Sequence, residues 1–276
     1  MNFDIRAAAR EKMLIVAHRC TPGGNIPCNT IASYEIALDQ GADMIEVEVD
    51  MTRDGVLIIF HPNMEKAHLD YPLSDMTWEL LSKLRFVNID NTPTQLGICK
   101  FDDFLDHFNA RCFININNFW EHPQEIYETL RAHNMIDQVV IKSTVSDDVL
   151  TVLTTLAPEL PFIPVVSQTH PFHEALMHMN INYVGVEVLF SEESMEVASP
   201  EFIERMHRDG KLVWVNSIIY NVKKQLTAGH SDDTALTESK DKGWGRLADR
   251  GFDIIKTDCP MMLINYLKSV GKYEKR

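Results

Sequence analysis

The chain has 276 residues, of which 45% are hydrophobic and 24% charged, a globular composition with enough apolar material for one large α/β domain or two ordinary ones. Its 26 Lys and Arg stand against 40 Asp and Glu, and the resulting charge of −14 argues against a nucleic-acid partner or an anionic membrane surface, because neither is attracted to a negative field. No run approaches 18 apolar residues, so no membrane span is expected.

The N-terminal MNFDIRAAAREK carries charges of both signs and no apolar core, so it reads as a short helix rather than a signal peptide. MLIVAH (13–18) follows as a buried strand that stops on His18 and Arg19, two groups that are costly to bury and useful at a rim. A helix is expected over TIASYEIALDQG, with Asn29 before its first turn and Gly41 after its last. The next strand, MIEVEV (44–49), puts Glu46 and Glu48 on one side and Val47 and Val49 on the other, since successive side chains alternate. VLIIFH (56–61) comes after only DMTRDG, too short for a parallel crossover. It is expected to return antiparallel through the Arg53-Asp54-Gly55 turn and to carry His61 back toward the end of the preceding strand.

Residues 62–111 hold no strong strand, only the helical pieces SDMTWELLSKLR and FDDFLDHF. CFINI (112–116) then brings Asn115 and, just beyond it on the same face, Asn117; QVVIK (138–142) ends on Lys142. FIPVV (162–166), YVGVEV (183–188), KLVWVN (211–216) and FDIIKT (252–257) complete eight strands. Amphipathic helices are expected between them over PQEIYETLRAHN, SDDVLTVLTTLAP, PFHEALMHM and PEFIERMHRDG, with PMMLINYLKSVG last; Ser146 and Gly210 mark helix ends. Residues 219–243 are polar and read as irregular. This alternation in a chain of about 250 residues or more matches an α/β fold, the closed (β/α)8 TIM barrel, here with an antiparallel excursion after the second strand. One domain over 1–276 with an insertion at about 56–111 is the simplest organisation. An open doubly wound sheet would want a glycine-rich fingerprint after the first strand, and none is there. Five cysteines, an odd number in a chain that needs no staples, point to a reducing compartment, so a soluble cytoplasmic protein is expected.

In such a barrel the polar residues at strand C-termini converge on one mouth. Two inward carboxylates, Glu46 and Glu48, repel one another unless a cation sits between them: a divalent metal, or a barrel lysine or arginine. Asn115 and Asn117 can join a hard-cation shell or simply bond loop backbone, and Lys142 can neutralise an anion. His18 and His61 are the groups that acid/base chemistry near neutral pH needs, and Arg19 offers a forked match to phosphate. The other nine histidines, His68, His107, His122, His133, His170, His173, His178, His207 and His230, show no metal-ligand spacing and read as structural.

These residues carry a resemblance. AHR (17–19), NT (29–30), GADMIEVEV (41–49), T-R-DG (52–55), FH (60–61), WVN (214–216) and GFDIIKTDCP (251–260) resemble, in order, the motifs of the glycerophosphodiester phosphodiesterase family. The resemblance implies a (β/α)8 barrel of lipid metabolism that hydrolyses glycerophosphodiesters to glycerol 3-phosphate and an alcohol. It also implies one divalent cation, Mg2+ or Ca2+ with Mn2+ as a further candidate, and a small-molecule phosphodiester as the partner. Carried over by position, His18 and His61 match the acid/base pair, Arg19 the phosphate-binding arginine and Glu46 the first metal carboxylate. Glu48 stands in place of an aspartate, and the third carboxylate falls at Asn117, with Asn115 the other candidate. The family lysine near that strand is missing, and Lys142 is expected to substitute for it in binding phosphate. Cys20 replaces a glycine, Cys28 a glutamate and Pro62 an aspartate. Two rival readings follow from these departures: a catalytically impaired relative that binds a phosphorylated ligand, and a lysophospholipase D-like enzyme using Phe119, Trp120, Phe172, Phe190 and Trp244 as an apolar rim.

Overall fold

The structure is a computed structural model that describes residues 3–20, 25–61, 75–88, 90–219 and 226–275; Pro62 and His68 lie outside the described residues. Strands β1 (Leu14–Ala17) and β2 (Met44–Val47) pair in parallel, and β3 (Val49–Met51), β4 (Leu57–Ile59) and β5 (Cys99–Lys100) form an antiparallel side sheet. The parallel set continues with β6 (Phe113–Ile116), β7 (Val139–Ser143), β8 (Phe162–Ser167), β9 (Gly185–Leu189), β10 (Leu212–Asn216) and β11 (Ile254–Thr257). β11 pairs back onto β1, Leu14 beside Ile254, so eight parallel strands close a barrel with helices between them. All eight predicted barrel strands are present.

Period-2 alternation builds the interior. Leu14, Met44, Phe113, Val140, Trp214 and Ile254 pack together inside the barrel, and Ile5 and Ala9 of the helix Ile5–Glu11 close its N-terminal end. The opposite parity, Ile45, Ile114, Val213 and Ile255 among others, packs outward against the helices. One pleat beyond the apolar layer the inward positions become polar: Glu46, Asn115, Lys142, Asn216 and Lys256 are all buried near the C-terminal strand ends.

Four local expectations change. MIEVEV is split, because Asn118 takes both backbone groups of Val49: its Oδ1 accepts from Val49 N at 2.7 Å and its Nδ2 donates to Val49 O at 2.6 Å. The chain therefore leaves the barrel at Glu48, and the expected hairpin forms between β3 and β4. The helix expected over SDMTWELLSKLR shortens to Trp78–Leu81 as the chain turns to stack Phe86 on Phe60, ring centroids 6.1 Å apart. The segment read as irregular holds the helix Asp232–Thr237, whose cap Ser231 accepts from Thr234 N at 3.2 Å. Phe119, Phe190 and Trp244 are wholly buried in the core and Trp120 donates to Lys142 O, so of the five aromatics proposed for an apolar rim only Phe172 is exposed.

His170 and His173, read as structural, both bond the Tyr183 hydroxyl at 2.9 Å. Burial, with His173 and Arg205 nearby, pushes the His170 imidazole down from 6.5 to about 4. Folding thus favours the neutral ring, the unfolded chain takes up the extra proton between those values, and stability falls as pH drops through that window. Urea unfolding at pH 7 and at pH 4.5 is expected to show the wild type losing up to about 3 kcal/mol more than His170→Gln. Equal losses in the two proteins would contradict this.

Candidate active site

His18 leaves the end of β1 with its backbone N bonded to Thr257 O at 3.0 Å. Its Nδ1 lies 2.8 Å from Asp258 Oδ1, and its Nε2 is 3.8 Å from Glu46 Oε1. A neutral ring that donates Nδ1–H to the Asp258 carboxylate keeps its lone pair on Nε2, the tautomer a base requires. Asp258 is itself held from below. The buried carboxylate of Asp232 accepts from Asp258 N at 2.7 Å, Thr257 Oγ1 at 2.8 Å, Trp244 Nε1 at 2.7 Å and the Ser217 hydroxyl.

Arg19 and Cys20 follow with φ of +50° and +48°, the left-handed region that costs a non-glycine residue roughly 1–2 kcal/mol. The turn that the resemblance associates with glycine is thus kept with cysteine in its place. Arg19 Nε is buried with no hydrogen-bond partner among the described residues, a donor that an anion would satisfy.

Glu46 Oε2 accepts from Lys256 Nζ at 2.9 Å. Burial alone would raise the Glu46 carboxyl, but Lys256, His18 and Lys142 outweigh it and hold the group at about 2. Glu48 behaves oppositely: burial and the negative charge of Glu46 lift it to about 7, against Arg19 and an Asn117 hydrogen bond of 3.2 Å. Glu48 Oε2 is also 3.2 Å from His61 Nε2. His61 reaches this point because Phe60 N bonds Glu48 O at 3.0 Å while Gly55, at φ +80°, makes the tight return from β3 to β4.

The fold therefore places His18, Arg19, Glu46, Glu48, His61 and Asn117 at the C-terminal ends of β1, β2, β4 and β6. Asn115 lies one pleat deeper, paired with Glu46 across the strands, and its Nδ2 donates to Val140 O at 3.1 Å. Lys142 does not stand at the rim. Its Nζ is 2.6 Å from Glu187 Oε2 and 4.3 Å from the Trp214 ring centroid, inside the barrel, so the expected phosphate clamp is occupied by a carboxylate instead. The Asn29-Thr30 pair starts a helix: Thr30, not Asn29, is the cap, in a reciprocal box with Ser33, and Asn29 Oδ1 accepts from the Tyr34 hydroxyl.

The model of the glycerophosphoryl diester phosphodiesterase family matches residues 18–261. The chain belongs to that family. It is 46% identical over 145 residues to a glycerophosphodiester phosphodiesterase of Caldanaerobacter subterraneus, covering 48% of this chain and 58% of that protein. It is 38% identical over 236 residues to one from Bacillus altitudinis, covering 78% of this chain and 91% of the relative. Among solved structures, a glycerophosphoryl diester phosphodiesterase from Parabacteroides distasonis superposes with a TM-score of 0.78 at 17% identity, over 98% of this chain and 93% of the other. Among the described residues no helix is long and apolar enough to cross a membrane.

For a member of this family, the fit to the expected divalent cation is decided by the donor chemistry. Among the described residues no three His, Cys, Asp or Glu side chains come together to hold a metal. Beside Glu48 stands the Asn117 amide, whose Nδ2 donates to Glu48 Oε1 at 3.2 Å; with the amide turned over, its Oδ1 would be the neutral third donor. Glu46, Glu48 and such an amide oxygen would make an all-oxygen set, which would suit a hard ion, at lower anionic charge because Lys256 already answers Glu46.

Four residues of this candidate site are not marked by any motif in the sequence. Lys256, Glu187 and Asn216 join Glu46 and Lys142 in a buried network, with Asn216 Nδ2 donating to Glu187 Oε1 at 2.6 Å. Their signal is a single polar residue at an inward position in FDIIKT, YVGVEV and KLVWVN. Asp232 had no such signal, because it starts a helix in a polar segment.

Proposed function

We propose that this chain hydrolyses glycerophosphodiesters to glycerol 3-phosphate and an alcohol, with His18 as base, His61 as acid and Arg19 holding the phosphate. The observation that carries this reading is the backing of each imidazole by an acid, Asp258 at 2.8 Å and Glu48 at 3.2 Å, beside a buried arginine donor. His18 Nε2 takes the proton from the attacking hydroxyl, whether water or the neighbouring hydroxyl of the substrate, and His61 delivers one to the departing alkoxide. Arg19 binds the non-bridging oxygens through its guanidinium fork. A divalent ion, Mg2+ or Ca2+ with Mn2+ as alternative, would be held by Glu46, Glu48 and Asn117 and would supply positive charge to the phosphoryl oxygens as they gain electron density.

The test is release of glycerol 3-phosphate from glycerophosphocholine and glycerophosphoethanolamine by protein stripped with EDTA, before and after Mg2+, Ca2+ or Mn2+ is restored. Calorimetric titration of each ion is run beside it. The expected result is turnover that follows metal binding and falls in Glu48→Gln. Absence of product with every diester and every ion would defeat the hydrolase reading. It would favour the second one, a phosphate-binding relative without turnover, which draws on the neutral third donor and the lysine already seated on Glu46.

A further inference from the structure

A cavity of about 610 Å³ opens at the opposite end of the barrel, between the helix Ile5–Glu11 and the N-terminal ends of β10 and β11. Arg6, Arg10, Lys211 and Lys275 line it, with Asp253 and His207. Asp253 is already saturated: Oδ1 meets Lys275 Nζ at 2.5 Å, and Oδ2 accepts from Val213 N at 2.8 Å and faces His207 Nε2 at 2.9 Å. Among the described residues none of Arg6, Arg10 and Lys211 has a carboxylate within 4.0 Å. Asp4 and Asp209 act on Arg6 and Lys211 from farther off, so four cations are set against three carboxylates here, in a chain of net charge −14.

Two of these cations share one acceptor. Arg6 Nη2 and Lys211 Nζ both donate to Tyr183 O, at 2.9 and 2.8 Å, and Arg6 also reaches Asn182 Oδ1 at 3.3 Å. Burial lowers both groups, and the charge of Arg6 lowers Lys211 further, against Asp209. Two like charges held on one carbonyl are stabilised by an anion placed between them. The cavity has the size of a small-ligand pocket, and at Gly210 and Gly251, with open space where a Cβ would stand, its lining carries no side chain.

We propose that this cavity is a second anion site, separate from the mouth, that binds a phosphate dianion, either free or carried on a small phosphomonoester. Arg6 and Arg10 present their guanidinium forks and Lys211 its point charge to the phosphate oxygens. The body of a phosphomonoester would occupy the space beside the two glycines.

The experiment titrates inorganic phosphate, and separately glycerol 3-phosphate, into Arg19→Gln protein by calorimetry at low salt, so that binding at the mouth is weakened and the second site is read alone. One site is expected to remain. It should weaken by about tenfold when Lys211→Gln or Arg10→Gln is added, the loss of one charge-assisted contact. Arg10 is exposed and makes no side-chain hydrogen bond or ion pair among the described residues, so its variant keeps the fold. Lys211→Gln in an otherwise wild-type chain should leave turnover at the mouth unchanged. Tighter binding of glycerol 3-phosphate assigns the cavity to a phosphomonoester and tighter binding of inorganic phosphate to the free ion; either carries the proposal. Loss of all phosphate binding in Arg19→Gln, or unchanged affinity in both added variants, would overturn it whether or not the mouth proves catalytic.

Discussion

His18→Ala is expected to lower turnover of a glycerophosphodiester by at least about a hundredfold, the lower end of what a positioned acid/base group contributes. The ring is fixed at both ends, by its backbone bond to Thr257 O and by Asp258 at 2.8 Å, so its removal takes away an oriented base rather than a mobile one. Added imidazole should restore part of the rate by filling the space left behind. Asp258→Asn is expected to cost less and to move the acidic limb of the pH profile to lower pH, because the amide no longer stabilises the imidazolium that forms as His18 takes the proton. Asp232→Asn acts one step further back, since Asp232 holds Asp258 N and Thr257 Oγ1. Its expected signature is the same shift in pH profile with a smaller fall in rate. Undiminished activity in His18→Ala would refute the role, whatever the other two variants do.

Lys256→Met is expected to destabilise the protein by about 3–5 kcal/mol in urea unfolding at pH 7, the cost of leaving a buried charge without its partner. Glu46 is 1% exposed, and Lys256 Nζ at 2.9 Å is its only hydrogen-bonded cation among the described residues. The paired change Lys256→Met with Glu46→Gln should recover most of the loss, because neither half of the buried pair then carries an unanswered charge. The neighbouring pair of Lys142 and Glu187 has the same logic at 2.6 Å, so the four side chains hold two positive and two negative charges. A single-variant loss below about 1 kcal/mol would mean that water or a rearranged neighbour already compensates Glu46. The same variant also probes the site: freeing Glu46 from its ammonium should tighten divalent-ion binding in calorimetry.

The T-R-DG motif shows how a sequence match and a structural role part company. Thr52 Oγ1 donates to Asp54 Oδ1 at 2.7 Å and accepts from Val56 N at 3.0 Å, which closes the hairpin from β3 to β4. None of these residues meets the mouth, yet without the return His61 would not reach Glu48. Much the same holds for Asn118, whose amide detaches Val49 from the barrel and so lets β3 begin.

Local sequence determined the alternation of strand and helix, the inward parity of Glu46, and the return of His61, because side-chain direction in a strand follows from period 2 and a short turn leaves one way back. It also marked His18, Arg19, Glu46 and Glu48 by motif. Parity states that a side chain points inward; it does not state what lies across the barrel. Glu46 and Lys256 are 210 positions apart, and His18 and Asp258 are 240 apart. Those pairings exist only because β11 closes onto β1, in a register that sets Val16 beside Lys256. For the same reason Lys142, expected to bind phosphate, meets the carboxylate of Glu187 instead. Closure of the barrel, a property of all eight strands together, chose the partners.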